Sequence, residues 1–291
     1  MKRDELKEYA RQCIAELFGT MVLIFIGNGS VAQNKFTDPA SRSTLSINIA
    51  FGIGVYAGIM VAGHISGAHL NPAVSIALLT LRKINPIQCL FYIVGQMIGA
   101  FLGCLLVFIV YINLFNNFDN GHREVLGDKQ TADIFVTFPS DGVENWNAFL
   151  DQIASTALLL IFIMAVGNQK NQSMSKAATP FAVALIIIAL GTAYGKNCGY
   201  PLNPARDFGS RLFALCVYGA KIFQVKQYYF WVPVFGPIIG AIFGVWIYEG
   251  YSKITNMDGR RQHELSTPTA KSPVYETQLS TEIKRLVETP L

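Results

Sequence analysis

Two copies of one tripeptide, Asn71-Pro72-Ala73 and Asn203-Pro204-Ala205, carry side chains suited to binding a small polar molecule. Each Asn carboxamide offers two N–H donors and one acceptor oxygen, and Arg206, directly after the second copy, adds a planar cation with five donors. Acceptors would come from the backbone carbonyls that precede the tripeptides, those of Gly67, Ala68, His69, Gly199, Tyr200 and Pro201. This is hydrogen-bonding chemistry for a small neutral molecule, and we predict no catalytic residue, metal or cofactor.

The tripeptides also predict where two helices begin. Asn is a favoured N-cap and Pro fits the first helical position, so each helix should start abruptly at its Asn. The amphipathic stretches that follow, 71–81 and 203–215, are too short to cross a bilayer at about 1.5 Å per residue. We expect two re-entrant half-helices. The preceding segments, 64–70 and 196–202, should be non-helical, and at membrane depth they must be buried in protein or line a wet cavity.

The composition requires a membrane. Hydrophobic residues make up 52% of the 291 positions and charged residues only 14%, with a mean hydropathy of +0.36. A soluble enzyme is therefore disfavoured, and the net charge of +4 has no basic stripe that would bind nucleic acid. Six segments are long and apolar enough to cross the hydrocarbon, near 13–32, 46–65, 87–112, 147–167, 179–196 and 229–251.

The basic residues predict the orientation of these segments. They cluster in four regions that share one side after six crossings, which the positive-inside rule makes cytoplasmic together with both termini. The clusters are Lys2 to Arg11, Arg82 and Lys83, Lys170 and Lys176, and Lys253 to Arg261. The alternative, a signal peptide cleaved near Ala32, would leave the second half of the chain with a crossing that the first half lacks.

The two halves of the chain repeat each other. Besides the tripeptides, the glycines of GQMIGAFLG at 95–103 recur in GPIIGAIFG at 236–244, and Glu16 corresponds to Gln152. Because each half has three crossings, the second copy enters the membrane from the opposite side. We predict an all-α membrane protein with six transmembrane helices and two re-entrant half-helices in an inverted two-fold repeat.

The same repeat sets the predicted domain boundaries. A cytoplasmic N-terminus covers 1–11, and a single membrane domain covers 12–251 and contains repeat one (12–114) and repeat two (147–251). A polar cytoplasmic tail then covers 252–291.

Two polar residues near the tripeptides, Glu16 and Arg206, have two interpretations each. Glu16 is a carboxylate within an early crossing and could couple transport to protons, but its partner Gln152 cannot titrate. We therefore expect both side chains to support the re-entrant segments by hydrogen bonds. Arg206 lies in the first turn of a half-helix, where the helix dipole disfavours a cation, so a functional role is favoured over a salt bridge to Asp207.

The motifs SGAHLNPA at 66–73 and NPARDFG at 203–209, with the duplicated layout, resemble the aquaporin family over roughly residues 11–251. Within this family, an Asp at the position of Asp207 resembles the glycerol-conducting branch. Strict water channels usually carry a small polar residue at this position. The resemblance implies a homotetramer in the plasma membrane, with one pore for glycerol and water in each subunit. Together with Glu16 and Gln152, Asp207 is expected to be a structural support of the pore.

The resemblance further implies that four residues form the narrowest constriction, namely Phe51, Gly191, Tyr200 and Arg206. Water-selective relatives typically have His at the position of Gly191 and a small residue at that of Tyr200, so this opening should be wider and more apolar. Two rings opposite a cation suit a polyol with one CH face and one hydroxyl face. The alternative for both aromatic residues is simple packing.

The predicted function is a passive channel that conducts glycerol, other small neutral solutes and water, and excludes protons and ions. The nearest alternative is a strict water channel, which Gly191, Tyr200 and Asp207 disfavour. A proton-coupled transporter would have similar broken helices but would need a coupling-ion site. An adhesive membrane protein would show no solute flux.

Overall fold

The computed structural model describes residues 3–168 and 175–255, and all regular structure in these residues is helical. One compact unit runs from Met1 to Gly250. A second unit, Tyr251–Leu291, is described only to residue 255, so most of the predicted tail and Lys170 lie outside the described residues.

Nine helices make up the described part of the chain. In order they are α1 (Arg3–Phe36), α2 (Thr44–Ser66), α3 (Pro72–Thr80), α4 (Pro86–Asp119), α5 (Asn145–Gly167), α6 (Thr179–Cys198), α7 (Ser210–Tyr218), α8 (Lys221–Tyr228) and α9 (Val232–Ile254). Short 3-10 turns lie at Pro39–Ser41, Ala132–Ile134, Lys176–Ala178 and Tyr229–Trp231.

Six of these helices are long and apolar enough to cross a membrane, as predicted: α1, α2, α4, α5, α6 and the segment containing α9. Several are longer than the apolar windows predicted. Both α1 and α4 have 34 residues, or roughly 50 Å, and so extend past the hydrocarbon on polar turns that a hydropathy window does not detect.

The two half-helices begin at the predicted residues. Asn71 caps α3, its Oδ1 accepting the N–H of Ala73 at 2.9 Å, and Asn203 Oδ1 accepts the N–H of Ala205 at the same distance. The second half-helix differs from expectation because it opens with a π-helical turn, Ala205–Gly209, before α7 continues to Tyr218. Such turns are rare and often occur at functional sites.

The non-helical segments are shorter than predicted, because α2 continues to Ser66 and α6 to Cys198. The prediction that 64–66 and 196–198 are non-helical was therefore wrong. Each helix ends at a left-handed glycine, Gly67 with φ 83° and Gly199 with φ 74°. The segments that follow these glycines also contain residues with left-handed, positive φ values, namely Ala68, Leu70, Tyr200 and Leu202.

The matched glycine rows bring two helix pairs into close contact. A Cβ at Gly95 or Gly99 in α4 would meet the carbonyl oxygens of Cys13 and Leu17 in α1. In the second half, Gly240 and Gly244 of α9 face the carbonyl oxygens of Ile153 and Ala157 in α5 in the same way. The repeat predicted from sequence therefore recurs as two equivalent helix contacts that only glycine permits.

Part of the acidic segment between α4 and α5 is buried in the protein. Ile134 and Phe135 are fully buried, and the Phe135 ring stacks on Phe115 with centroids 5.7 Å apart. Phe213 of α7 contacts the same ring edge-on at 5.0 Å. This segment is thus fixed next to the second half-helix, where its backbone can contact polar side chains.

Candidate functional site

The two tripeptides meet through reciprocal hydrogen bonds. Asn71 Nδ2 donates to the carbonyl of Leu202 at 2.9 Å, and Asn203 Nδ2 donates to the carbonyl of Leu70 at 2.7 Å. Each carboxamide nitrogen carries two hydrogens, so one hydrogen per Asn is left after this contact. Both Asn residues line an internal cavity of about 280 Å³. Each Asn therefore caps its half-helix and keeps one N–H hydrogen that this reciprocal contact does not use.

Two cavities lie on either side of one set of residues. The inner cavity of about 280 Å³ is lined by the tripeptide Asn residues and by Gly67, Ala68, His69, Tyr200 and Pro201 among others. The outer cavity of about 990 Å³ is lined by residues that include Gly191 and Gly199. Phe51, Tyr200 and Arg206 line both cavities, so they form the boundary between them.

The boundary brings together all four residues that the family resemblance implies. The guanidinium carbon of Arg206 lies 5.1 Å from the ring centroid of Phe51, a cation–π distance. The rings of Phe51 and Tyr200 meet edge-on with centroids 6.0 Å apart. The Tyr200 ring packs directly against Gly191, because a Cβ on Gly191 would lie only 2.7 Å from Tyr200 Cζ. Two aromatic rings and one guanidinium group thus line the boundary between the two cavities.

Arg206 is held by the buried segment and not by its neighbour in sequence. Its Nη1 donates to the carbonyl of Phe135 at 3.0 Å, and only 7% of the residue is exposed. Asp207 instead accepts hydrogen bonds from the Thr137 N–H at 2.8 Å and from the guanidinium of Arg211. The alternative of an Arg206–Asp207 salt bridge is therefore not what the structure has.

Asp207 and Arg211 form a fully buried ion pair that joins three segments. Arg211 Nη2 donates to the carbonyl of Thr137 at 2.6 Å, and its Nη1 donates to the carbonyl of Ile222 at 2.9 Å. The pair thereby attaches the segment that carries Phe135, and the start of α8, to the second half-helix. Asp207 lines neither of the two cavities described above, and its bond to Thr137 lies two residues after the Phe135 carbonyl that holds Arg206.

Glu16 supports the first re-entrant segment through four donors. Its Oε1 accepts from Ser66 Oγ and from the His69 N–H at 2.9 Å, and its Oε2 accepts from the Leu70 N–H at 2.7 Å. Gln96 Nε2 adds a fourth bond at 2.8 Å. A fully buried carboxylate with four donors is a structural group whose acceptor capacity is used.

Gln152 supports the second segment at the equivalent place with fewer bonds. Its Oε1 accepts from the Leu202 N–H at 2.9 Å, which corresponds to the bond between Glu16 and Leu70. Its Nε2 points away, to Asp151 Oδ2 at 3.1 Å and Cys198 Sγ at 3.3 Å. An amide can offer only one acceptor atom, so the second segment has one backbone bond where the first has two.

Sequence reasoning missed three contributors to the boundary. Phe135 and Thr137 act through backbone groups about 70 positions from their partners, and no local pattern reveals such contacts. Asn48 is different, because it precedes Phe51 by three residues on α2 and therefore shares its helix face. It lines the outer cavity, and its helical spacing from Phe51 would have been enough to find it.

A sequence profile described as major intrinsic protein matches residues 4–248, most of the chain. The chain belongs to the major intrinsic protein family. Members of this family are passive channels and not enzymes, and the six apolar helices make this member an integral membrane protein.

Individual relatives of this major intrinsic protein extend the comparison. It is 37% identical to human Aquaporin-9 over 82% of this chain and 81% of the relative, and 35% identical to Aquaglyceroporin-2 of Rhizophagus irregularis over 82% and 76%. The X-ray structure of the aquaglyceroporin from Plasmodium falciparum is similar with a TM-score of 0.74 and 31% identity, covering 85% of this chain and 97% of that one. These relatives confirm the resemblance and the fold predicted from the motifs.

Proposed function

We propose that the protein is a passive channel for glycerol, other small neutral solutes and water. The observation that carries this proposal is the mixed lining of the boundary, where the rings of Phe51 and Tyr200 lie beside the buried guanidinium of Arg206. A polyol that has lost its water shell needs apolar contact for its CH groups and hydrogen-bond partners for its hydroxyls. The names of the relatives, which include aquaglyceroporins, support the same solute class.

The proposed selectivity includes the exclusion of protons and ions. A buried guanidinium repels cations, and the N-termini of two half-helices add positive potential at Asn71 and Asn203. The remaining amide hydrogens of the two Asn residues would donate to a passing water and interrupt a continuous chain of water hydrogen bonds. Glu16 does not offer a proton-coupling site, because both of its oxygens already accept hydrogen bonds.

A strict water channel is the second candidate, and the absence of a side chain at Gly191 argues against it. The site residues proposed for conduction are the four at the boundary, the two tripeptides and the carbonyls of the re-entrant segments. Glu16, Gln152 and Asp207 are proposed as their structural supports, through the hydrogen bonds described above.

The proposed setting is the plasma membrane, with four copies per assembly and one pore in each. The Lys and Arg clusters support cytoplasmic termini under the positive-inside rule. The division into a terminus at 1–11, two repeats at 12–114 and 147–251, and a tail at 252–291 remains part of the same proposal.

Vesicles containing the purified protein test the proposal. After an osmotic step with glycerol, light scattering should report fast shrinkage by water loss and then fast reswelling by glycerol entry, each faster than in empty vesicles. A voltage should drive no current, and glycerol entry should leave an imposed proton gradient intact. Shrinkage without accelerated reswelling would favour the strict water channel, and collapse of the gradient would favour coupled transport.

A further inference from the structure

The boundary described so far lacks an acceptor side chain for solute hydroxyls. Arg206 only donates hydrogen bonds, and the rings of Phe51 and Tyr200 offer hydrocarbon. Each glycerol hydroxyl has a proton of its own that loses its water partner on entering the boundary, and an unmade hydrogen bond at that point raises the barrier. The backbone carbonyls proposed above are acceptors, with Gly199 lining the outer cavity, and a side-chain acceptor on the outer side of the rings would add to them.

Asn48 of α2 provides an acceptor at that position. Its side chain is 95% buried, yet it lines the outer cavity together with Gly191 and Tyr200. Asn48 Oδ1 lies 2.8 Å from the point that a Cβ of Gly191 would occupy, and Tyr200 Cζ lies 2.7 Å from the same point. The carboxamide oxygen and the Tyr200 ring thus both pack against Gly191, at the edge of the outer cavity.

Thr192 fixes the direction of this carboxamide. Asn48 Nδ2 donates to Thr192 Oγ1 at 3.4 Å, and Thr192 Oγ1 in turn donates to the carbonyl of Ile188 at 2.8 Å. Because the hydroxyl proton is used for Ile188, the oxygen of Thr192 can only accept from Asn48, so the NH₂ group must face Thr192. The opposite end of the amide, Oδ1, then faces Gly191 and the Tyr200 ring, where Asn48 lines the outer cavity.

The hydroxyl of Tyr200 borders the same region and is itself buried without a hydrogen-bond partner. Because that oxygen is closed off from solvent, a solute in the cavity does not reach it, and the Tyr200 ring presents hydrocarbon to the solute. The acceptor oxygen of Asn48 is then the side-chain group that matches the donor proton of an alcohol.

We infer that Asn48, oriented by Thr192, is a specificity-determining residue that accepts a hydrogen bond from a solute hydroxyl as it enters the boundary. This inference rests on the proposed glycerol conduction and adds a residue to it. Water depends less on this acceptor, because a small molecule can keep other water partners while passing the rings. The effect should therefore be larger for polyols than for water.

The test compares three variants with the wild-type protein in vesicles. Asn48→Leu keeps the side-chain size and removes the acceptor; glycerol permeability should fall roughly threefold to tenfold, the value of one hydrogen bond, with a much smaller change for water. Thr192→Val keeps the shape of Thr192 and releases the amide, so it should shift the glycerol-to-water ratio in the same direction by less. Thr192→Ser retains the hydroxyl and should restore the wild-type ratio.

The outcomes separate this inference from the proposed function. Failure of the wild-type protein to conduct glycerol contradicts the proposed channel itself. Conduction by the wild type with an unchanged ratio in Asn48→Leu overturns the role of Asn48, as does an equal loss of water and glycerol, which indicates a packing role. If Asn48→Leu does not fold, as judged by gel filtration, an unchanged ratio in Thr192→Val would still overturn the inference.

Discussion

Replacing Gly191 by Ala should narrow the boundary for glycerol with only one added methyl group. The new Cβ would lie 2.7 Å from Tyr200 Cζ and 2.8 Å from Asn48 Oδ1, closer than real Cβ contacts allow. The ring or the amide must therefore move, and both border the space through which a wide solute passes. We expect glycerol permeability to fall, water permeability to fall less, and the protein to remain folded.

The size of the effect follows from the packing. Forcing an extra methyl group into a filled site costs about 1–3 kcal/mol, and a solute that needs the same space meets this cost as an added barrier. At 1.36 kcal/mol per tenfold, glycerol permeability should fall roughly 5- to 150-fold. Gly191→His, which adds a whole ring, should suppress glycerol further and leave water as the main permeant.

Stopped-flow light scattering measures both permeabilities in the same vesicles. Gly63→Ala is the matched control, because a Cβ at that glycine of α2 would meet Ile59 at an ordinary 3.6 Å. Adding Tyr200→Leu to Gly191→Ala removes the atom that the methyl group strikes and should recover part of the glycerol flux. An unchanged glycerol-to-water ratio in folded Gly191→Ala would refute the assignment of this boundary as the size filter.

Three further predictions concern the groups around the site. Glu16→Gln replaces a carboxylate that accepts four hydrogen bonds with an amide that has only one acceptor oxygen. Each lost hydrogen bond to a charged group is worth about 1.5–3 kcal/mol, so the melting temperature in detergent should drop clearly. An unchanged melting temperature would contradict the supporting role of Glu16. Arg211→Met leaves Asp207 buried without its ion pair, which should destabilise the fold by about 3–5 kcal/mol; a stability equal to wild type would exclude the buried pair. Outside the membrane, the Lys226 ammonium holds the pKa of Asp141 below its ordinary value of 3.8, so the ion pair should be complete above pH 3.8 and be lost as the pH falls through the lowered pKa. In Lys226→Met, NMR titration should find the pKa of Asp141 returning toward 3.8. An unchanged pKa in this variant would exclude the ion pair.

Local chemistry and internal repetition explain why most of the architecture could be predicted. Asn is a favoured N-cap and Pro a favoured first helical residue, and both half-helices begin at Asn71 and Asn203 as predicted. The register of the repeat related Glu16 to Gln152 and led to a shared supporting role for both residues. The two observed bonds, to Leu70 and Leu202, are equivalent.

Other features depend on contacts that sequence patterns do not encode. Ala68, Leu70, Tyr200 and Leu202 adopt left-handed φ values, although these residue types do not favour them. The backbone N–H and C=O groups of Leu70 and Leu202 are held by distant side chains, and that tertiary constraint overrides the local preference. The π-helical turn at Ala205 likewise escaped prediction, because its buried charges bond to a segment about 70 residues away.

The reciprocal bonds between Asn71 and Leu202, and between Asn203 and Leu70, make each half of the chain incomplete without the other. A nascent chain that has emerged only as far as α4 has no acceptor for the Asn71 amide, so the midpoint of the pathway can assemble only after the later half has been inserted. A precursor of half this length would have needed a second copy, inserted in the opposite orientation beside it, to supply the acceptor for its Asn amide. Fusion of two such copies would make the contact between the two Asn residues intramolecular.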